Sequence, residues 1–117
     1  MARTVLANIT KGIRNDGVEI EGASLSTTDK YIDFGGNNTR TAVLVSNAGS
    51  SASTVTFYHG DGVQGVENGD LEVTLGAGKE ALVCLESGRF NITTGENRGL
   101  IKCKASAAVT ISVIEIA

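Results

Sequence analysis

The only histidine of the chain lies in a stretch rich in groups that enzymes and metal sites use: His59-Gly60-Asp61-Gly62-Val63-Gln64-Gly65-Val66-Glu67-Asn68-Gly69-Asp70. Three kinds of chemistry are open to it. A nucleophile system needs a base held by a carboxylate and a hydroxyl placed beside that base. His59 and Asp61 are close enough in sequence, but no G-x-S-x-G elbow accompanies them. A calcium loop needs several oxygen ligands around a sharp turn. Asp61, Glu67 and Asp70 could supply some, but the D-x-D-x-D-G spacing is absent. Phosphate cradling by glycine backbone needs a helix after the loop, often with a lysine, and neither follows. The stretch therefore reads as a long surface loop whose glycines allow tight turns and whose acids stay solvated. A loop that contacts a partner is the sharper version of that reading. No catalytic, cofactor or metal residue is assigned, and no enzyme activity or cofactor is expected.

The remaining reactive groups point the same way. Cys84 and Cys103 both fall in apolar alternation and are expected to be buried free thiols. Two thiols and one histidine do not make the usual four-ligand zinc site. Tyr31, Phe34, Phe57, Tyr58 and Phe90 are the only aromatics, and there is no Trp, which weakens a sugar-gripping platform. Phe34, Phe57 and Phe90 read as core. Tyr58 points opposite Phe57, toward a surface or interface. Lys102 and Lys104 share one strand face. They read as a solvated face, or as a contact for the acidic middle of a neighbouring subunit.

These groups must be positioned by short strands. Thr54-Val55-Thr56-Phe57-Tyr58, Leu71-Glu72-Val73-Thr74-Leu75 and Leu100-Ile101-Lys102-Cys103-Lys104-Ala105 alternate as half-buried antiparallel strands do. The segments 41–45, 81–85 and 109–116 are more continuously apolar and read as central strands, or as strands covered on both faces. In the last of them Ile114 and Ile116 lie opposite Val109, Ile111 and Val113, which suggests a sandwiched strand or a subunit interface. Weaker strand candidates are 4–9, 18–21, 31–34 and 90–93, and 23–29 reads as loop. Asn15-Asp16-Gly17 signals a hairpin. Further breakers at Gly35-Gly36-Asn37-Asn38, Asn47-Ala48-Gly49, Asn68-Gly69-Asp70, Gly76-Ala77-Gly78, Ser87-Gly88 and Gly95-Glu96-Asn97 give a spacing of about ten residues through most of the chain, the rhythm of a sandwich or small barrel.

With 117 residues the chain is expected to be one domain, residues 1–117, with 1–30 an N-terminal arm or an added strand pair. It has no Pro, so its edge strands cannot use Pro to block pairing. Its net charge of −3 argues against a general nucleic-acid binder. No segment approaches the roughly 18 apolar residues of a membrane span, and the first residues carry no apolar run of a signal peptide. Synthesis in the cytoplasm is therefore expected. The fold class expected is an all-β antiparallel sandwich of about eight to ten short strands, Ig-like or jelly-roll-like.

The order of segments carries a resemblance. Asn37-Asn38-Thr39-Arg40-Thr41-Ala42-Val43-Leu44-Val45-Ser46-Asn47-Ala48-Gly49 is a breaker, a strand and an Asn turn. Thr54-Val55-Thr56-Phe57 and Gly60-Asp61-Gly62-Val63-Gln64-Gly65 come next. Asp70 to Lys79, Leu85-Glu86-Ser87-Gly88-Arg89-Phe90 and the apolar last strand complete the series. From about Tyr31 to Ala117 this resembles small β-sandwich virion proteins of tailed bacteriophages and prophages, of the capsid-decorating or auxiliary type. The resemblance implies a non-enzymatic protein on the capsid surface, made in the host bacterial cytoplasm, that binds and stabilises an assembled shell. Its partners would be the major capsid protein or other virion subunits, with the chain itself a homo-oligomer such as a trimer.

A tail or head–tail protein of the same particle is the first alternative. A non-catalytic carbohydrate- or protein-binding module is the second. The residues expected at a partner interface are Asp61, Val63, Gln64 and Val66 in the long loop, then Arg3, Lys11 and Arg14 near the N-terminus. Neither nucleic acid nor membrane is expected as a partner.

Overall fold

Alternation of period two commits most of this chain to strands before any packing is considered, because successive side chains point to opposite faces. The computed structural model describes residues 5–6, 9–34, 40–61, 69–85, 87–93 and 98–116. Among them nine strands form: β1 (Ile9–Lys11), β2 (Ala23–Leu25), β3 (Lys30–Asp33), β4 (Thr41–Ser46), β5 (Ser53–Phe57), β6 (Leu71–Leu75), β7 (Glu80–Val83), β8 (Leu100–Ala105) and β9 (Val109–Glu115). A single helical turn, α1 (Ser87–Phe90), stands between β7 and β8. Among the described residues no helix is long and apolar enough to cross a membrane.

The strands make two sheets. Sheet A runs β1-β9-β4-β7, with β2 also on β9, and sheet B runs β3-β8-β5-β6. From β2 onward the antiparallel pairs nest: β5 with β6, β4 with β7, β3 with β8, β2 with β9. That nesting is one long hairpin rolled up so that β4 also meets β9 and β5 also meets β8. It is the connectivity of a jelly roll, and it separates the two topologies expected from the sequence. β1 is an addition, laid parallel on β9.

The core lies between the sheets. Val43 and Val45 of β4, with Ile111 and Val113 of β9, face Val55 and Phe57 of β5 and Ile101 and Cys103 of β8. Each fully buried side chain of this size contributes about 1.5–3 kcal/mol relative to exposure. Leu25, Ile32, Phe34 and Phe90 belong to the same core.

Several expectations are corrected. The segment expected as loop at 23–29 begins with β2, because one inward apolar residue, the fully buried Leu25, suffices once the backbone pairs with β9. Residues 18–21, expected as a strand, join no sheet, and Val18 and Ile20 stay exposed. The strand expected at 90–93 is replaced by α1 and irregular chain. The strand expected at 4–9 pairs only from Ile9, and its residues 4, 7 and 8 lie outside the described residues. Asn15-Asp16-Gly17 does turn, with Asn15 at φ 62°, but it joins β1 to β2 through β9 and not as a hairpin.

The segment 81–85 is not central. β7 is an edge strand with Leu82 67% exposed. Cys84, expected buried, is exposed, whereas Cys103 is buried.

Candidate interaction surfaces

The loop that held the most suggestive residues leaves β5 and enters β6. Its feet are described, while Val63, Gln64 and Val66 lie outside the described residues, as does Arg3. At the feet the His59 N–H donates to Asp70 Oδ1 at 2.8 Å. The ring places Nδ1 2.8 Å from the Gly60 carbonyl, which can only accept, so Nδ1 carries the proton. Asp70 is reached by Nε2 instead, at 3.9 Å. A triad base has the reverse arrangement, with Nδ1–H on the carboxylate and Nε2 free for the nucleophile. Here histidine and carboxylate hold the neck of a loop.

The other groups at the neck do similar work. Asp61 Oδ1 accepts from the Thr93 N–H at 2.7 Å and from its hydroxyl at 2.5 Å. Arg89 of α1 donates Nε to the Gly69 carbonyl at 3.1 Å and Nη2 to the Asp70 carbonyl at 3.3 Å. Its guanidinium also lies 4.9 Å from the centre of the Phe90 ring. Gly60 is buried against the following chain, where an added Cβ would stand 2.0 Å from the Asn91 carbonyl oxygen. Among the described residues no three of His, Cys, Asp and Glu gather where they could hold one metal ion. Lys11 is exposed at the end of β1, in register with Glu115, and Arg14 is exposed in the following turn. Asp61 thus sits at the neck of the β5–β6 loop, and Lys11 and Arg14 at the end of β1 and just beyond it.

Two sheet faces carry more organised surfaces. On the outside of sheet B, Tyr31 is in register with Lys102, and the Tyr58 N–H donates to the Lys102 carbonyl. Lys102 Nζ lies 4.9 Å from the Tyr58 ring centre and 3.5 Å from Asp29 Oδ2. Lys104 Nζ is 5.8 Å from the same ring. Its hydrogen bond with Tyr58 pushes the ammonium above the ordinary lysine value, with Asp29 and Glu72 adding to the shift. This is a half-open band of aromatic rings and cations whose charges have partners within the chain.

The outside of sheet A is apolar. Ala42, Leu82, Cys84, Ile114 and Ile116, with Arg40 and Thr41 at the rim, line a shallow depression of about 400 Å³. Leu82 is 67% and Ile116 62% exposed. Two-sided apolarity of the last strand pointed to this face. What sequence reasoning missed is that Leu82 and Cys84 join it, because their strand was assigned to the interior.

No protein-family model, curated protein or solved structure matches this chain.

Proposed function

We propose that the chain is a non-catalytic structural protein that works through its surfaces, and that it decorates the exterior of a tailed-phage capsid, stabilising the assembled shell. The observation that carries this reading is the apolar outer face of sheet A, where Leu82 and Ile116 stand open to water. Exposed apolar patches of this kind mark protein–protein contact. The likeness of the segment order to capsid-decorating proteins supplies the particular setting. A jelly roll is compatible with it, though the same fold serves lectins and cupins. Bound only to the assembled shell, such a protein stabilises it by mass action, and repetition over a symmetric lattice multiplies a modest contact.

The test is quantitative mass spectrometry of purified particles from the source culture. Copy numbers comparable to the major shell protein are expected. A handful of copies per particle would move the chain to the tail or the head–tail connector. Absence from intact particles would remove the virion reading.

A soluble binding module is the second reading, and the band of Tyr31, Lys102 and Tyr58 on sheet B favours it. Tyrosines beside a lysine on an open sheet could grip a sugar ring or a peptide. Binding to a glycan array that is lost in Tyr58→Ala would support it.

A further inference from the structure

Two open sheets leave four edges, and among the described residues three of them are guarded. At β3 the Leu6 N–H donates to the Tyr31 carbonyl at 2.8 Å, so the N-terminal segment occupies that edge. β6 carries exposed Glu72 at its second position, and Arg89 ties its entry through Gly69 and Asp70. At the β1/β2 edge, Glu21 N–H donates to Thr10 Oγ1 and ties the connecting chain back to β1. β7 differs. Its only strand neighbour among the described residues is β4, and its one charged residue, Glu80, stands at its first position, with none from Ala81 to Leu85. Charge, Pro or cover is what ordinarily blunts an edge.

The groups that β7 offers outward follow from how it starts. Gly78 N–H donates to the Asn47 carbonyl at 2.7 Å and Asn47 N–H to the Lys79 carbonyl at 2.9 Å, with Gly78 at φ 72°. That is a glycine bulge, two residues against one. From it the ladder to β4 runs Val45 with Ala81 and Val43 with Val83 as the hydrogen-bonded pairs. The N–H and C=O groups of Glu80 and Leu82 therefore point away from β4, toward the open edge. Their side chains lie on the outer face, and Leu82 is 67% exposed.

We infer that β7 is the contact for a second copy of this chain, whose own β7 pairs with it antiparallel about a two-fold axis at Leu82. An antiparallel edge is its own complement, so the same donors and acceptors meet across the axis. Register follows from the side chains. Centring on Leu82 sets the two exposed leucines side by side and Glu80 opposite Cys84 of the second copy. Centring on Ala81 sets Leu82 against a carboxylate, and centring on Val83 sets it against Cys84. The Leu82 register also joins the apolar depressions of both copies into one strip running from Ile114 through Ala42 and Leu82 to their counterparts. Sheet A then continues from one copy to the other. The inference does not depend on where the protein works.

Sedimentation velocity and a targeted disulfide test it. The wild-type chain is expected to be a dimer. A central hydrogen-bonded pair holds its Cα atoms about 5.5 Å apart, within disulfide range. Leu82→Cys in a Cys84→Ser background is therefore expected to oxidise to a covalent dimer. The native Cys84 thiols, about 14 Å apart in this register, are not expected to bridge. Leu82→Pro is expected to weaken the dimer about 100-fold or more, through the lost edge N–H and the lost leucine contact. The fold should survive, because that N–H makes no bond to β4. Leu82→Lys gives the same result by charge if proline disturbs the strand. A monomer at roughly 200 µM, which would leave the contact weaker than about −5 kcal/mol, overturns the inference. So does a trimer, a dimer indifferent to both substitutions, or a disulfide that forms through Cys84 instead.

Discussion

Replacing Asn47 by Ala removes a side chain that makes four hydrogen bonds. The residue is 2% exposed and follows β4 at the corner where the chain leaves sheet A. Its Nδ2 donates to the carbonyls of Ser51 at 2.9 Å, Leu75 at 3.2 Å and Gly76 at 3.3 Å, and its Oδ1 accepts from the Gly49 N–H at 3.1 Å. One amide thus ties the β4–β5 turn to the β6–β7 corner. Two amide protons and one acceptor are lost, each worth about 0.5–1.5 kcal/mol net, and the buried Leu75 carbonyl loses a partner that water cannot replace. The sum is about 3 kcal/mol. For a chain of this length that lowers Tm by about 12 °C, at roughly 4 °C per kcal/mol. Asn47→Asp keeps the acceptor but aims a carboxylate at carbonyl oxygens, so it should cost at least as much as Ala. The assay is urea unfolding followed by circular dichroism, with the slope checked for a constant denatured state. A loss below about 1 kcal/mol for Asn47→Ala would show that the corner is held by packing alone, and the reasoning would fail.

Gly60→Ala should cost about 3 kcal/mol or more, because backbone at 2.0 Å from the new Cβ cannot yield as a side chain can. Gly17→Ala, with nothing within 4 Å of its Cβ position, should be neutral or slightly stabilising in the same denaturation assay. Native thiol titration with a chromogenic disulfide at pH 8 should count one reactive cysteine, the exposed Cys84, and two after unfolding. Burial, with Asp29 adding to it, pushes the Cys103 thiol up to about 12. Above about pH 9 the unfolded chain releases that proton while the folded chain keeps it, so stability should fall as pH rises from 9 to about 12, by up to about 1.4 kcal/mol per unit. Cys103→Ala should remove that part of the slope. Equal slopes in the two proteins would refute it.

The strands with clean alternation were legible almost to the residue. β6 spans 71–75, β8 spans 100–105 and β9 begins at Val109, as their patterns require. Short strands resisted because they carry too few residues to show a period. β2 rests on Leu25 alone, and its pairing partner is 84 residues or more away in sequence. The surfaces divide the same way. The apolar outer side of β9 was visible in Ile114 and Ile116, whereas Leu82 and Cys84 were hidden in a run that reads like a central strand. Nothing local distinguishes an apolar strand at an edge from one in the middle. That difference lies in which neighbour is absent.

Composition, alternation and turn residues by themselves determined an all-β chain of short strands with a Val-, Ile- and Leu-rich interior, because side-chain period and backbone freedom at Gly and Asn are local properties. Tertiary structure alone decided the jelly-roll order, the edge position of β7 and the roles of Asn47, His59 and Gly60. Each of these depends on carbonyls, amides or whole strands contributed from distant parts of the chain. A hydrogen bond between residues 47 and 75 leaves no periodic mark on the sequence that makes it.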